Sequence, residues 1–206
     1  IFFPYFLRAR LAGAEQADTR AAIETAYREL YDQRGRQLSQ WAQSKDALER
    51  QVGLALTGVE YENLRTAVEL ALAARASFFN PYSALSAYLT ASQEVTRRLE
   101  LAEGIYAGRT NYTSETLAGE MGIIFVGCLD EVAQCRLLLK RIGDAEKAYR
   151  EELILLDAMQ GQFKQQAQQL KSVTYHMLGI VAQAQRQWAQ AEAHYRQALA
   201  LFVEFN

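Results

Sequence analysis

Prolines, cysteines and long apolar runs are all scarce in this sequence. It has two prolines and two cysteines among 206 residues, and its net charge is −2. The scarcity of proline, together with the lack of alternating apolar runs, favours helices over strands. A balanced charge gives no attraction for nucleic acid or an anionic membrane, and no apolar run approaches the ~20 residues that span a bilayer. We therefore expect neither partner.

The two cysteines, Cys128 and Cys135, lie in an apolar helical pattern. Two cysteines are too few for a disulfide framework, so we predict free, buried thiols in a reducing, cytoplasmic compartment. The opening residues 1–7 are apolar but lack an initial methionine and a charged region, which is not the pattern of a signal peptide. We expect that the chain was cut from a longer protein.

Turn and loop signals divide the chain into helical segments. Breaks that contain glycine, proline or polar clusters occur near residues 57–58, 80–81, 108–113, 141–143 and 161. Between the breaks, apolar residues recur at three- and four-residue intervals, as they do on amphipathic helices. The sequence predicts an all-α protein of about eight to ten helices with short connections. Residues 3–12 are predicted to form a short apolar helix, the first of them, or else a packed extended arm.

A ladder of aromatic and small residues runs through the last third of the chain. Its members are Tyr175, Leu178, Gly179, Ala182, Trp188, Ala191, Tyr195 and Ala198. The small residues allow two antiparallel helices to approach closely, and Leu178 and Tyr195 fill the space between them. These offsets resemble those of the tetratricopeptide (TPR) repeat. The resemblance implies a right-handed superhelical stack of antiparallel helix hairpins, an α-solenoid, because one such hairpin cannot bury its apolar face alone.

Part of this ladder recurs upstream. A shift of 46 residues places Ala145 on Ala191 and Tyr149 on Tyr195. A TPR is usually about 34 residues long, so we place an insertion in the glutamine-rich residues 160–169. The shift relates helix, turn and helix of one copy to helix, turn and helix of the other, and therefore predicts two successive hairpins.

The upstream copy departs from the TPR pattern at two positions. Arg136 stands where an aromatic or small residue is expected, and Glu152 stands where alanine is expected. In both copies the residue that usually turns the hairpin as glycine is basic, namely Lys140 and Arg186.

These patterns predict two regions. Residues 1–110 are expected to form N-terminal helical hairpins that lead into the repeats. Residues 111–206 are expected to contain the TPR-like repeats, over about residues 126–159 and 172–206.

The TPR resemblance also implies where a partner would bind. In TPR arrays the first helix of each hairpin lines the inner, concave surface, along which proteins or peptides lie. On this sequence that surface corresponds to Asp130, Gln134, Leu137, His176, Ile180 and Gln183. Chaperone-binding members clamp a C-terminal carboxylate with lysine and asparagine. Here His176 and Ile180 occupy the relevant positions, so no such clamp is expected.

A second resemblance lies at residues 60–72, which read Glu-Tyr-Glu-Asn-Leu-Arg-Thr-Ala-Val-Glu-Leu-Ala-Leu. This segment resembles the helix that opens the TPR region of bacterial multidomain signalling ATPases of the STAND class, of NB-ARC or LuxR-like type. In such proteins a nucleotide-binding module and a winged helix precede the segment, and a TPR sensor follows it. The order here, with the motif upstream and the repeats downstream, agrees with that arrangement.

The usual chemical motifs are missing. There is no Gly-x-x-x-x-Gly-Lys-Ser/Thr loop for a nucleotide, and neither His176 nor His194 has a cysteine or carboxylate at metal-ligand spacing. Glu151 and Glu152 are adjacent, so on a helix they point in different directions and do not converge as an acid and a base. We predict no catalytic residue, no metal and no cofactor.

Three functions remain open. The first is a sensor or interaction segment of a larger bacterial signalling ATPase or transcription regulator that binds a protein or peptide. The second is a free-standing TPR adaptor for a peptide or partner helix, and the third is an all-helical enzyme with a cavity between hairpins. The last predicted helix carries Leu199, Phe202 and Val203, which no following helix covers, so we expect further repeats or self-association there.

Overall fold

A computed structural model describes residues 16–205 as a set of helices joined by short connections. The ten α-helices are α1 (Ala17–Ala42), α2 (Ala47–Val59), α3 (Tyr61–Ala73), α4 (Phe79–Ala91), α5 (Val95–Ala107), α6 (Ser114–Leu117), α7 (Glu120–Leu138), α8 (Ile142–Asp157), α9 (Phe163–Ala184) and α10 (Trp188–Phe205). A 3-10 turn, Gly108–Asn111, follows α5. These residues contain no strand, so the all-α prediction is confirmed. The predicted helix over residues 3–12 lies outside the described part of the chain.

The chain divides into two compact units, the first ending at Tyr88 and the second beginning at Leu89. The predicted regions 1–110 and 111–206 describe something else, namely where the TPR-like repeats begin. The division into units does not test that boundary, so it stays a prediction. None of the helices in the described part combines the length and apolar character needed to cross a lipid bilayer.

The first unit is built on its long helix α1, which contacts α2 and α3. Gly35 of α1 lies against α4, where an added Cβ would come within 2.6 Å of the backbone nitrogen of Pro81. A larger residue would force the two helices apart, so glycine is required at this crossing. One turn further on, the hydroxyls of Ser39 and Ser83 form a hydrogen bond of 2.8 Å.

The segment at residues 60–72 forms the start and most of the length of α3. Its apolar residues are buried, among them Leu64 and Val68. Its polar residues tie α3 to α1, because the Glu60 carboxylate accepts hydrogen bonds from Tyr31 Oη at 3.1 Å and from Asn63 Nδ2 at 2.7 Å. The motif that carries the STAND resemblance therefore has a structural role within this unit.

The second unit surrounds α7, which contacts α5, α6, α8 and α9. The buried residues of α7 occupy most of its circumference, so the helix is covered from several sides. Its two cysteines, Cys128 and Cys135, are free and buried, as the sequence predicts. From α7 onward each helix also contacts the next one along the chain, α8 on α7, α9 on α8 and α10 on α9.

Four helices end in the same left-handed turn on a residue other than glycine. Lys140 follows the end of α7 with a φ angle of 61°, and Arg186 follows the end of α9 with a φ angle of 62°. Arg75 and Gln93, which follow α3 and α4, have φ angles of 54° and 57°. In the first two turns the amide of the following residue donates to the carbonyl five positions back at 2.8 Å. This is the Schellman arrangement that satisfies the last carbonyls of a helix. The two turns have the same geometry 46 residues apart, as the repeat requires.

Candidate protein-interaction surface

The hairpin of α9 and α10 is held by a close contact between Gly179 and Tyr195. A Cβ added to Gly179 would lie 2.3 Å from the Tyr195 ring, so the ring occupies the space that any larger side chain would need. The Tyr195 hydroxyl donates to Gln183 Oε1 at 3.0 Å, and the ring centroid lies 5.5 Å from that of His176. Tyr195 therefore positions two of the residues predicted to bind a partner, His176 and Gln183.

In the preceding hairpin, α7 and α8, the 46-residue shift places Asp130 at the position of His176 and Gln134 at the position of Ile180. Gln134 Nε2 donates to Asp130 Oδ2 at 2.7 Å. Desolvation, with a smaller contribution from the Glu131 charge, raises the pKa of Asp130 to about 6, and the Gln134 hydrogen bond and the Arg98 charge oppose this rise. The Asp130 carboxylate is thus ionised at neutral pH, at a site only partly open to water.

The six predicted residues divide by exposure. Gln134, His176, Ile180 and Gln183 are exposed, whereas Asp130 and Leu137 are partly buried. Leu137 packs against the buried core of the unit. Because α7 contacts α9 directly, positions that correspond under the 46-residue shift lie on neighbouring helices.

A buried acid, Glu152 of α8, is influenced by the charge of Asp130. The sequence alone does not mark Glu152 as part of a site. Glu152 is 4% exposed, and its Oε1 lies 2.7 Å from the Thr174 hydroxyl of α9. Desolvation, with a smaller contribution from the Asp130 charge, raises the pKa of Glu152 to about 8, and the Thr174 hydrogen bond opposes this rise. Glu152 Oε2 has no hydrogen-bond partner among the described residues, and neither has the buried hydroxyl of Tyr149.

The Thr174 hydroxyl has two acceptors within reach. It donates to Glu152 Oε1 at 2.7 Å and lies 3.0 Å from the backbone carbonyl of Leu170. A hydroxyl has one proton, so the two acceptors compete for it, and the shorter contact is the one to Glu152.

A second buried polar network joins α5 to α7 through Arg98. The guanidinium is almost fully buried and lies 2.7 Å from Glu131 Oε1, with Thr90 Oγ1 and Cys135 Sγ each at 3.0 Å. Burial raises the pKa of the Cys135 thiol, although Arg98 opposes this. A neutral thiol is a poor nucleophile, so Cys135 is an inert core residue.

Arg136 and Glu152, the two residues that depart from the TPR pattern, each contact neighbouring helices. Arg136 binds Glu103 of α5 at 2.9 Å and the Asp144 carbonyl of α8 at 3.2 Å. Glu152 contacts Thr174 of α9, whereas its neighbour Glu151 accepts from the Tyr106 hydroxyl at 2.6 Å. The two adjacent glutamates diverge, as helix geometry predicts.

Two open grooves lie along one side of α10, and a third lies at the start of α9. The first, of about 420 Å³, is lined by Gln183, Trp188, Ala191, Glu192, Tyr195, Arg196 and Leu199. The second, of about 340 Å³, is lined by Ser172, Val173, His176, Tyr195, Ala198, Leu199 and Phe202. The third, of about 550 Å³, is lined by Ser114, Glu115, Ala118, Gly119, Gln160, Gly161, Gln162 and Phe163. The two grooves beside α10 share Tyr195 and Leu199 and so form one continuous surface, which we call the α10 groove.

Between residues 16 and 205, no three His, Cys, Asp or Glu side chains come together in a way that would hold a metal ion. Comparison of the chain with protein-family models, curated proteins and solved structures finds no match.

Proposed function

We propose that this chain is a non-catalytic helical-repeat scaffold that binds a protein or peptide along α7 and α9. The observation that carries the proposal is that these two helices touch and expose corresponding residues, Gln134 on α7 and Ile180 on α9. Their opposite faces are buried in the unit, so the exposed positions are free to serve recognition. We call the predicted set of six residues, 130, 134, 137, 176, 180 and 183, the inner surface.

The chemistry of the inner surface changes along its length. Asp130 is ionised at neutral pH and accepts a hydrogen bond from Gln134, which favours a partner group that is basic or rich in donors. At the other hairpin, Ile180 is an exposed apolar residue beside His176 and Gln183, which favours an apolar side chain. A short peptide with one basic and one apolar anchor matches both parts.

The proposal includes a TPR-like superhelical arrangement of the hairpins. Two observations support it, namely the identical left-handed turns at Lys140 and Arg186 and the sequential packing of α7 to α10. In such a stack the first helices of successive hairpins share one side, which is where the inner surface lies.

We further propose that the chain acts in the cytoplasm as the sensor or interaction segment of a larger bacterial signalling ATPase or transcription regulator. The resemblance at residues 60–72 supports this assignment, and the free buried thiols Cys128 and Cys135 suit a reducing compartment. The complete open reading frame tests it. A nucleotide-binding loop encoded upstream of these residues is expected, and a frame without one would favour the free-standing adaptor.

Site-specific photo-crosslinking tests the binding surface. A photoreactive amino acid is introduced at Gln134 or Ile180, and at the exposed Lys147 of α8 as a control. In cells that express the full protein, positions 134 and 180 are expected to give the same discrete crosslinked partner, and position 147 is expected to give none. The same pattern from all three positions would contradict the proposal.

A further inference from the structure

Two acids of the second unit, Asp130 of α7 and Glu152 of α8, interact through their charges. The charge of Asp130 acts on the Glu152 carboxyl and on the buried hydroxyl of Tyr149, so the three groups lie within electrostatic range of one another. Glu152 is almost fully buried, whereas Asp130 is partly open to water on the inner surface. Between residues 16 and 205, Glu152 Oε2 and the Tyr149 hydroxyl find no hydrogen-bond partner.

The cations of the neighbouring helices are bound to other acids. Arg98 of α5 lies 2.7 Å from Glu131, and its charge is the smallest of the influences on Asp130. Lys171 of α9 is paired with Asp157. The α9 group that reaches Glu152 is the hydroxyl of Thr174, which carries no charge. The pair of Asp130 and Glu152 therefore lacks a cation of its own in the described part of the chain.

Two interacting carboxyl groups without a cation do not both ionise in a desolvated region, because their negative charges repel. One proton therefore stays with the pair at neutral pH. Glu152 holds it as the more buried member, and Oε2 carries it because Oε1 accepts from Thr174 at 2.7 Å. The negative charge of the pair is then on Asp130, the member that faces the inner surface.

Asp130 has one oxygen available to a partner. Gln134 Nε2 donates to its Oδ2 at 2.7 Å, which leaves Oδ1 for a further donor. An ammonium group is a compact charge that a single acceptor can bind, whereas a guanidinium binds a carboxylate best through both oxygens. A divalent metal ion needs more oxygen ligands, and residues 16–205 bring no three His, Cys, Asp or Glu side chains together to hold one. The geometry matches a lysine side chain.

We propose that Asp130 binds a lysine ammonium of the partner protein or peptide, and that this ammonium replaces the proton that Glu152 otherwise holds. The proton passes to solvent as the lysine enters, so the site gains one positive charge, loses another and keeps its net charge. Asp130 touches the lysine and determines specificity, whereas Glu152 acts through Asp130 as a positioning residue. The inference rests on the proposed scaffold function and names the basic anchor of its partner.

The probe is Nα-acetyl-lysine methylamide, which carries an ammonium group and no other charge. Its affinity for the full chain is measured by NMR at pH 6.5 and 7.5, from the side-chain amide signals of Gln134. The proton on Glu152 competes with the lysine, so with a pKa of about 8 for Glu152 the affinity is expected to rise about eightfold over this range. The arginine analogue is expected to bind more weakly at both pH values.

Three variants separate the roles of the two acids. Asp130→Asn is expected to abolish binding of the lysine probe. Glu152→Gln keeps the shape of the side chain and is expected to remove most of the rise with pH, because only the Asp130 proton still competes. The matched control is Glu151→Gln, since Glu151 is the next residue but accepts from the Tyr106 hydroxyl of α5, and it is expected to keep the eightfold rise.

Other charged and titratable groups lie around the pair on every helix packed against it. They are Glu131 and Cys135 on α7, Tyr149 on α8 and Arg98 on α5, and His176 on α9 occupies the position that corresponds to Asp130. All of them are the same in the unmodified chain and in both glutamine variants. A difference between these proteins in pH dependence therefore reports the Glu152 proton.

The carboxyl carbon signal of Glu152 gives a test that needs no substitution. Its titration midpoint in the unmodified chain is expected to fall when the lysine probe is present. No binding of the probe, an unchanged Glu152 midpoint, or the same pH dependence in the unmodified chain and Glu152→Gln would each overturn the inference. Crosslinking from Gln134 and Ile180 tests the scaffold function separately, so a shared crosslinked partner without lysine binding would reject the lysine and keep the scaffold.

Discussion

Replacement of Glu152 by glutamine removes a buried acid while keeping its shape. Glu152 is 4% exposed, and burial raises its pKa to about 8 from an ordinary value of 4.5. At pH 7 the folded protein therefore holds a proton on Glu152 that the unfolded chain has released. Folding takes up a proton, so the free energy of unfolding falls as the pH rises between these two pKa values.

The size of the effect follows from this single proton. Each pH unit within the window costs about 1.4 kcal/mol of the free energy of unfolding. The raised pKa of Asp130, about 6, contributes in the same direction but only below that pH. Between about pH 6.5 and 7.5 the difference between the unmodified chain and Glu152→Gln therefore isolates Glu152, since all other groups are common to both.

Urea unfolding followed by circular dichroism at pH 6.5, 7.0 and 7.5 measures this difference. The free energy of unfolding of the unmodified chain relative to Glu152→Gln is expected to fall by about 1.2 kcal/mol across the range, because part of Glu152 has already lost its proton at pH 7.5. The exposed carboxylate Glu204 gives the control, Glu204→Gln, which is expected to keep the slope of the unmodified chain. Parallel curves for the unmodified chain and Glu152→Gln would refute a protonated Glu152.

Further substitutions test the packing and the helix ends of the second unit by equilibrium unfolding. Gly179→Ala is expected to lower the free energy of unfolding by about 1 kcal/mol, because the new Cβ would lie 2.3 Å from the Tyr195 ring and displacing the ring outweighs the gain in helix propensity. Gly127→Ala is the matched control, since an added Cβ there has no atom within 4 Å, and it is expected to raise the free energy of unfolding by about 1 kcal/mol. Equal effects would contradict the close contact. Arg98→Met is expected to cost about 3–5 kcal/mol because it removes the buried Arg98–Glu131 ion pair, and the added change Glu131→Leu is expected to recover much of this loss. Arg186→Gly is expected to add about 1 kcal/mol, because a left-handed φ of 62° favours glycine, and a loss would argue against that backbone.

The helical character of the chain could be predicted because it depends on local patterns. The scarcity of proline, the three- and four-residue spacing of apolar residues and the break signals all act within a few turns of helix. The correspondence of Lys140 and Arg186 was also visible in the sequence, and both adopt the same left-handed turn. What these patterns could not supply is which faces of the helices are covered, since burial depends on residues distant in the chain.

The candidate site, too, was predictable only in the part that depends on local patterns. The resemblance to the TPR pattern nominated Asp130, Gln134, His176 and Gln183 on the first helix of each of two predicted hairpins, and their role in binding stays a prediction. The partial burial of Asp130 and the contacts of Tyr195 with its neighbours needed three-dimensional packing. The superhelical arrangement and the partner remain proposals.

By itself the sequence determined that the chain is helical and where two equivalent hairpin turns lie, because helix formation and turn geometry depend on near neighbours. Only the tertiary structure decided that corresponding residues meet different fates. Leu156 is buried under α9 whereas the corresponding Phe202 faces water, and of the adjacent residues Glu151 and Glu152 only Glu152 is fully buried. The physical reason is that exclusion of water depends on which helix lies across a face, and that helix is supplied by a distant part of the chain or by another molecule.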